Sequence, residues 1–120
     1  MEDFEKIYVD GVFVIAVNLI RATINEAVAF RKIVEEEINS GRTKLVIDLS
    51  KCNYIDSVFL GTIIVASKRL INIEYKLKVV EPGTEGENVF TYINTLKVFD
   101  KYKTREEAIK SFEGDIQPES

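Results

Sequence analysis

Ser57 is the residue of this sequence whose surroundings point most directly to chemistry. It stands between Asp56 and the apolar residues Val58, Phe59 and Leu60, so it is predicted to be the N-cap where a loop enters a helix. A hydroxyl there accepts a hydrogen bond from an early helical N–H, which stabilises the helix by about 1 kcal/mol. The same place accommodates a phosphate, because unpaired N–H groups and the positive end of the helix dipole face it. Ser57 is therefore either a structural cap or a site of phosphorylation.

A phosphate on Ser57 would act on a partner more than on the fold. It adds a charge of about −1.5 to −2 and three acceptor oxygens at pH 7, which repel and desolvate badly in an apolar interface. Such a modification can break a complex without unfolding the domain.

The helix that follows Ser57 also carries a candidate partner surface. Apolar residues spaced for one face predict a helix over about 58–70, with Leu60, Ile63, Ile64, Ser67, Leu70 and Ile71 toward the core. The remaining circumference then holds Val58, Phe59, Thr62, Val65 and Arg69. Interface energy concentrates in aromatic residues and Arg, so Phe59 is a candidate anchor. Alternatively, Phe59 packs beneath the preceding loop.

The elements that position Ser57 can be followed along the chain. Apolar runs at 6–9 and 12–17 flank Asp10-Gly11, which predicts a hairpin. A capping box of Thr23 and Glu26 begins a helix that ends at Ser40-Gly41. The unbroken apolar run at 45–49 indicates a strand that is covered on both faces.

The second half of the chain continues the alternation of strands and helices. A strand is predicted at 77–80, a short third helix after the Thr84 capping box, an edge strand at Val98-Phe99, and a last helix after Thr104. This order predicts an α/β fold: a single domain over 1–113 with a mixed, largely parallel β-sheet and about four α-helices, and a frayed tail at 114–120. Functional loops in such sheets lie beyond the carboxyl ends of the strands, where residues 53–57 belong.

Composition narrows the class of function. The 120 residues suit one core, and 16 basic against 20 acidic side chains give a charge of −4, which disfavours nucleic acid and anionic lipid as partners. The chain has no histidine and one cysteine, which excludes Ser-His-Asp triads, imidazole metal ligands and cysteine zinc sites. We therefore expect no catalytic residue, no metal and no cofactor, and a protein as the partner.

The sequence also predicts the compartment. The longest uncharged stretch near the middle of the chain, Ser57 to Ser67, is shorter than the roughly 20 residues that span a bilayer. The chain begins without a basic-then-apolar leader, and its lone cysteine cannot form an internal disulfide. These features predict a cytoplasmic protein without direct membrane insertion.

Three segments together resemble a known family. The run Leu45-Val46-Ile47-Asp48-Leu49-Ser50, then Tyr54-Ile55-Asp56-Ser57, then Leu60-Gly61, is similar to the STAS domain, named for sulphate transporters and anti-sigma factor antagonists. The resemblance extends from the opening hairpin to Glu106-Glu107-Ala108.

The resemblance implies a bacterial anti-sigma factor antagonist involved in transcription regulation. Such a protein binds an anti-sigma factor that is a serine kinase, and so releases a sigma factor. Ser57 aligns with the serine that this kinase phosphorylates and that a separate phosphatase restores, and Asp56 would shape the loop beside it. This chain differs from the family in having Val58 and Phe59 after the serine, and Arg21 where an acidic residue is usual. Arg21 would either pair with a phosphate or recognise a different partner.

Two alternatives remain open at this point. The bulk of Val58 and Phe59 favours a STAS subunit that is never phosphorylated and serves as a scaffold in a signalling or transporter assembly. An enzyme or a phosphoaspartate receiver is suggested only by length, element order and Asp48 after the central strand. A receiver needs clustered acidic residues for Mg²⁺, whereas Asp10 is predicted to lie in the hairpin turn.

Overall fold

A computed structural model of the protein describes residues 2–73, 75–82 and 99–114. The strands are β1 (Phe4–Val9), β2 (Val12–Val17), β3 (Arg21–Ala22), β4 (Leu45–Asp48), β5 (Tyr54–Ile55), β6 (Lys78–Val80) and β7 (Asp100–Tyr102). The described helices are α1 (Ile24–Asn39), α2 (Ser57–Asn72) and α3 (Arg105–Ser111), the last followed by a 3₁₀ turn at Phe112–Gly114. The predicted third helix and residues 115–120 of the predicted tail lie outside the described residues.

Five strands form one sheet in the order β1-β2-β4-β6-β7. β1 is antiparallel to β2, and the other neighbours are parallel. The prediction of a mixed, largely parallel sheet is therefore confirmed, with three helices in the described part of the chain. The edge strand β7 begins at Asp100, one residue after the predicted Phe99, and the predicted Val98 lies outside the described residues. An edge strand can include charged residues that an apolar pattern does not reveal.

The opening hairpin forms as predicted. Asp10 and Gly11 have φ values of 51° and 79°, the left-handed geometry of a two-residue turn that matches the twist of the strands. Val9 therefore pairs with Val12, and the register continues to Phe4 opposite Val17. This register directs alternate side chains of β2 to opposite faces of the sheet.

The two faces of the sheet bury separate apolar clusters. The larger cluster joins alternate residues of β2, β4 and β6, among them Ile15, Ile47 and Val79, to α1 and α2. The smaller one, which includes Val14 and Val46, contacts α3. All four residues of β4 are buried, which confirms a strand covered on both faces.

Helix α1 has the capping box that its sequence predicts. Thr23 Oγ1 accepts a hydrogen bond from the Asn25 N–H, and Glu26 Oε1 accepts one from the Thr23 N–H. Its buried face is formed mainly by Ala27, Phe30, Val34 and Ile38. Ile24 and Val28, which share the apolar spacing in the sequence, are instead exposed.

Polar contacts hold α3 against the second face of the sheet. Arg105 Nε donates to Asp48 Oδ2 at 2.8 Å, and the buried Lys78 Nζ lies 2.8 Å from Ser111 Oγ. Burial opposes ionisation of Asp48, but hydrogen bonds from Ser50 and Arg105 outweigh it, so the pKa of the carboxyl lies below its usual value. Asp48 is thus a paired structural carboxylate.

Candidate functional site

Ser57 is the first residue of α2, and Asp56 is the N-cap. One carboxylate oxygen of Asp56, Oδ1, accepts the Phe59 N–H at 2.8 Å. The prediction of Ser57 as the N-cap is therefore wrong by one residue. Asp and Ser cap helices about equally well, so composition does not decide between adjacent candidates. The Ser57 side chain is left at the exposed surface of the first helical turn.

The same carboxylate also reaches the start of α1. Asp56 Oδ2 accepts the Ile24 N–H at 2.8 Å, across a sequence separation of 32 residues. One side chain thus joins the N-termini of two helices, whose dipoles both favour a negative charge at this point. Sequence reasoning missed this second bond, because no local spacing connects Asp56 with Ile24.

A short parallel strand pair anchors the loop before Ser57. Arg21 pairs with Tyr54 and Ala22 with Ile55. The Ala22 carbonyl accepts the Asp56 N–H at 3.0 Å, and Ala22 and Ile55 are fully buried. The backbone on both sides of the Asp56 carboxylate is therefore held in place.

Arg21 lies at the surface beside this loop. Its guanidinium carbon stands 4.4 Å from the centre of the Tyr54 ring, a cation–π contact. Among the described residues, no carboxylate lies within salt-bridge distance of Arg21. The Tyr54 ring therefore orients the Arg21 guanidinium, which can still form an ion pair with an anionic group.

Phe59 does not belong to the outer surface. Its side chain is fully buried, and its ring stacks on that of Phe30 with centroids 4.6 Å apart. The assignment of Phe59 as a partner-binding anchor is wrong. The inward side of α2 includes positions 59, 63, 66 and 70, whereas Ile71 is exposed. Because α2 is apolar around most of its circumference, the sequence pattern left its rotation ambiguous.

The other predicted partner residues of α2 share one outward side. Val58 and Val65 are exposed, and Thr62 is half-buried with its hydroxyl donating to the Phe59 carbonyl at 2.6 Å. Arg69 is half-buried, and its Nη2 donates to Asn39 Oδ1 of α1 at 2.6 Å. The structure thus brings Ser57, Val58 and Thr62 together and joins Arg69 to α1.

Cys52 precedes the Ser57 loop in the sequence, and the pKa of its thiol is strongly raised. Its burial, with a smaller effect from the Asp48 charge, raises the pKa of the thiol to about 12. The thiol therefore stays protonated at neutral pH and is a poor nucleophile.

Among residues 2–73, 75–82 and 99–114, no three His, Cys, Asp or Glu side chains are grouped so that they could hold a metal ion. In the same part of the chain, none of the helices has the length and apolar character needed to cross a membrane.

Comparisons with known proteins agree with this architecture. The sequence profile of the STAS domain matches residues 9–108. A candidate anti-sigma factor antagonist from Thermotoga neapolitana, described as a TM1081 homolog, is 29% identical over 92 residues, 76% of this chain and 81% of that protein.

Solved structures show the same fold. The crystal structure of TM1081 from Thermotoga maritima, a candidate anti-sigma factor antagonist, has a TM-score of 0.76 at 28% identity, covering 90% of this chain and 92% of that chain. The anti-sigma factor antagonist SpoIIAA in its unphosphorylated form has a TM-score of 0.75 and covers 93% of this chain and 99% of that chain. At 17% identity, this second likeness shows the fold alone.

Proposed function

Because the chain belongs to the STAS domain family, we propose that it is an anti-sigma factor antagonist that Ser57 phosphorylation switches off. In the unphosphorylated form it binds an anti-sigma factor that is a serine kinase, and the sigma factor is released. The observation that carries this proposal is the exposed Ser57 at the first position of α2, beside the exposed apolar side chain of Val58.

The chemistry of the proposed switch is a transfer and a hydrolysis. The kinase transfers the γ-phosphoryl group of ATP to Ser57 Oγ, which loses its proton, and ADP leaves. A separate phosphatase hydrolyses the ester to serine and inorganic phosphate. Neither reaction needs a catalytic residue, a metal or a cofactor from this chain.

The local structure accounts for the two effects required of such a phosphate. At the start of α2 it would meet the positive end of the helix dipole, so the fold tolerates it. It would also place about two negative charges next to Val58 and near Ile24, whose side chains are exposed and apolar. An interface that buries these side chains would lose affinity because the phosphate must be desolvated.

Val58, Thr62 and Arg21 are the proposed partner contacts, with Asp56 as the support of the loop. Arg69 is proposed as a contact at the far end of α2, where its bond to Asn39 limits its freedom. Phe59 takes no part in binding, and its function is to pack the first turn of α2 against Phe30.

The proposal is tested with the full chain and each purified anti-sigma factor kinase of the source cell. Incubation with ATP followed by peptide mass spectrometry is expected to add one phosphate, on Ser57. Ser50→Ala is the matched control, because Ser50 is also exposed and lies in a neighbouring loop. Labelling of Ser57→Ala to the same extent as the parent would refute the assignment.

Affinity measurements distinguish a phosphorylation switch from a scaffold that is never phosphorylated. We expect Ser57→Asp to weaken the complex with the kinase at least tenfold while leaving the midpoint of urea unfolding unchanged. Tight binding without phosphorylation, and equal affinities for the parent and Ser57→Asp, would instead support a scaffold subunit of a signalling or transporter assembly.

A further inference from the structure

The outward sides of α1 and α2 form two facing rows. On α2, Val58, Thr62, Val65 and Arg69 recur at intervals of four, three and four residues, and so share one side of the helix. The guanidinium of Arg69 contacts Asn39 of α1, so this side of α2 is directed toward α1.

The opposing row on α1 ends at that same Asn39. Ile24, Val28, Glu35 and Asn39 recur at intervals of four, seven and four residues and occupy one side of α1. Because Asn39 meets Arg69, this side is directed toward α2. Ile24 and Val28 of α1 and Val58 and Val65 of α2 therefore lie on the facing sides of the two helices. This set of four aliphatic residues is called here the α1–α2 groove.

The groove is held at both ends. At its start, the Asp56 carboxylate joins the first N–H of α1 to the first turn of α2. At its end, Arg69 joins α2 to Asn39. Beneath it, the stacked rings of Phe30 and Phe59 are fully buried. The spacing of the two walls is therefore fixed by contacts that do not depend on a partner.

The groove walls expose apolar side chains that the fold itself does not use. Ile24 is 60% exposed, Val28 69%, Val58 45% and Val65 52%. Single exposed aliphatic residues are common on protein surfaces, but facing rows that line a groove mark an interaction site. These four are nearly half of the nine large hydrophobic side chains that are exposed among the described residues.

Cations stand along the same groove. Arg31 and Lys32 follow Val28 by three and four residues, and both are exposed. Arg21 lies at the groove mouth, stacked on Tyr54. In the described part of the chain, none of these three cations has a carboxylate within salt-bridge distance. Glu35 of the same row lies one turn beyond Arg31 without forming a salt bridge to it, so the three cations are left to pair with acidic side chains of a partner.

We propose that the α1–α2 groove receives an amphipathic helix of the anti-sigma factor, with aliphatic side chains between the walls and acidic side chains toward Arg21, Arg31 and Lys32. Two parallel helices of 16 residues each offer a groove about 24 Å long, which suits a helix packed against both. This inference rests on the proposed function and extends the partner surface from α2 onto α1.

The walls are tested with Val28→Asp and Val65→Asp, which lie away from Ser57 along the helices. Ile73→Asp is the matched control, because Ile73 is 46% exposed but lies beyond the end of α2, outside the groove. Calorimetric titration with the purified anti-sigma factor is expected to show at least a tenfold increase in Kd for each groove variant and less than a twofold change for Ile73→Asp. Urea unfolding midpoints are expected to match the parent.

Charge reversal tests the chemistry of the partner. The pair Arg31→Glu and Lys32→Glu is expected to weaken binding and to reduce its dependence on salt, whereas Lys110→Glu on α3 should do neither. Unchanged affinity for Val28→Asp and Val65→Asp, with binding still weakened by Ser57→Asp, would overturn the groove and leave the proposed function intact. Failure of the parent chain to bind any anti-sigma factor of the source cell would overturn both.

Discussion

Replacement of Asp56 tests the central structural feature of the site, a carboxylate that caps two helices. Its bond to the Phe59 N–H is an N-cap interaction, which contributes about 1 kcal/mol. Its bond to the Ile24 N–H is a second charged hydrogen bond, which contributes about 1.5–3 kcal/mol. Because Asp56 is half-buried, water replaces part of the second contribution. We therefore expect Asp56→Ala to cost about 2–4 kcal/mol of the free energy of unfolding.

Asp56→Asn separates the two bonds. The single amide oxygen of Asn can accept one of the two N–H groups, because the amide nitrogen is a donor. The expected cost is about 1–2 kcal/mol, with faster hydrogen exchange of one of the two amides, Ile24 or Phe59, and unchanged exchange of the other. Urea unfolding measures the stability, and NMR measures the two amides.

Thr104→Ala provides the matched control, because Thr104 caps α3 alone and its loss should cost about 1 kcal/mol. If Asp56→Ala costs no more than Thr104→Ala, the bond to α1 contributes nothing. If Asp56→Asn keeps the protection of both the Ile24 and the Phe59 amides, the geometry of the double cap is wrong.

Other expectations follow from burial and charge. Phe59→Ala should cost about 3–5 kcal/mol in urea unfolding, because its ring is fully buried, whereas Val58→Ala should cost less than about 1 kcal/mol. Equal costs would place Phe59 outside the core. The Cys52 thiol, with a pKa raised to about 12, should react with an aromatic disulfide reagent at pH 8 only after unfolding, and rapid labelling of the folded chain would contradict this. The pKa of Asp48 is lowered in the folded state, so its stabilising effect is complete above the unfolded value of about 3.9 and is lost as the pH falls through the folded value. Unfolding free energies of the parent and Asp48→Asn should therefore converge as the pH falls through the folded value, and a constant difference would refute the lowered pKa.

The parts of this fold that could be predicted are those in which neighbouring residues allow only one backbone conformation. Asp10-Gly11 specifies its hairpin because both residues adopt positive φ. Thr23 and Glu26 specify the start of α1, since each satisfies a backbone donor of the other. The apolar run of β4 requires cover on both faces, which in turn requires helices on each side of the sheet.

The candidate site could be predicted less completely. The sequence locates Ser57 beside a helix start but not the cap itself, because Asp56 and Ser57 are both good caps. It also leaves Arg105 without an evident partner, since the contact with Asp48 spans 57 residues and depends on α3 crossing the sheet.

The sequence by itself determined the α/β element order, the helix start at Asp56-Ser57 and the resemblance to the STAS family. Only the tertiary structure decided which side of each helix faces outward. Phe59 is turned inward, and Ile24 and Val28 outward, because docking against the sheet sets the rotation of helices that are apolar on more than one side. The same docking brings Ile24 to Asp56, and so makes one surface from two distant segments.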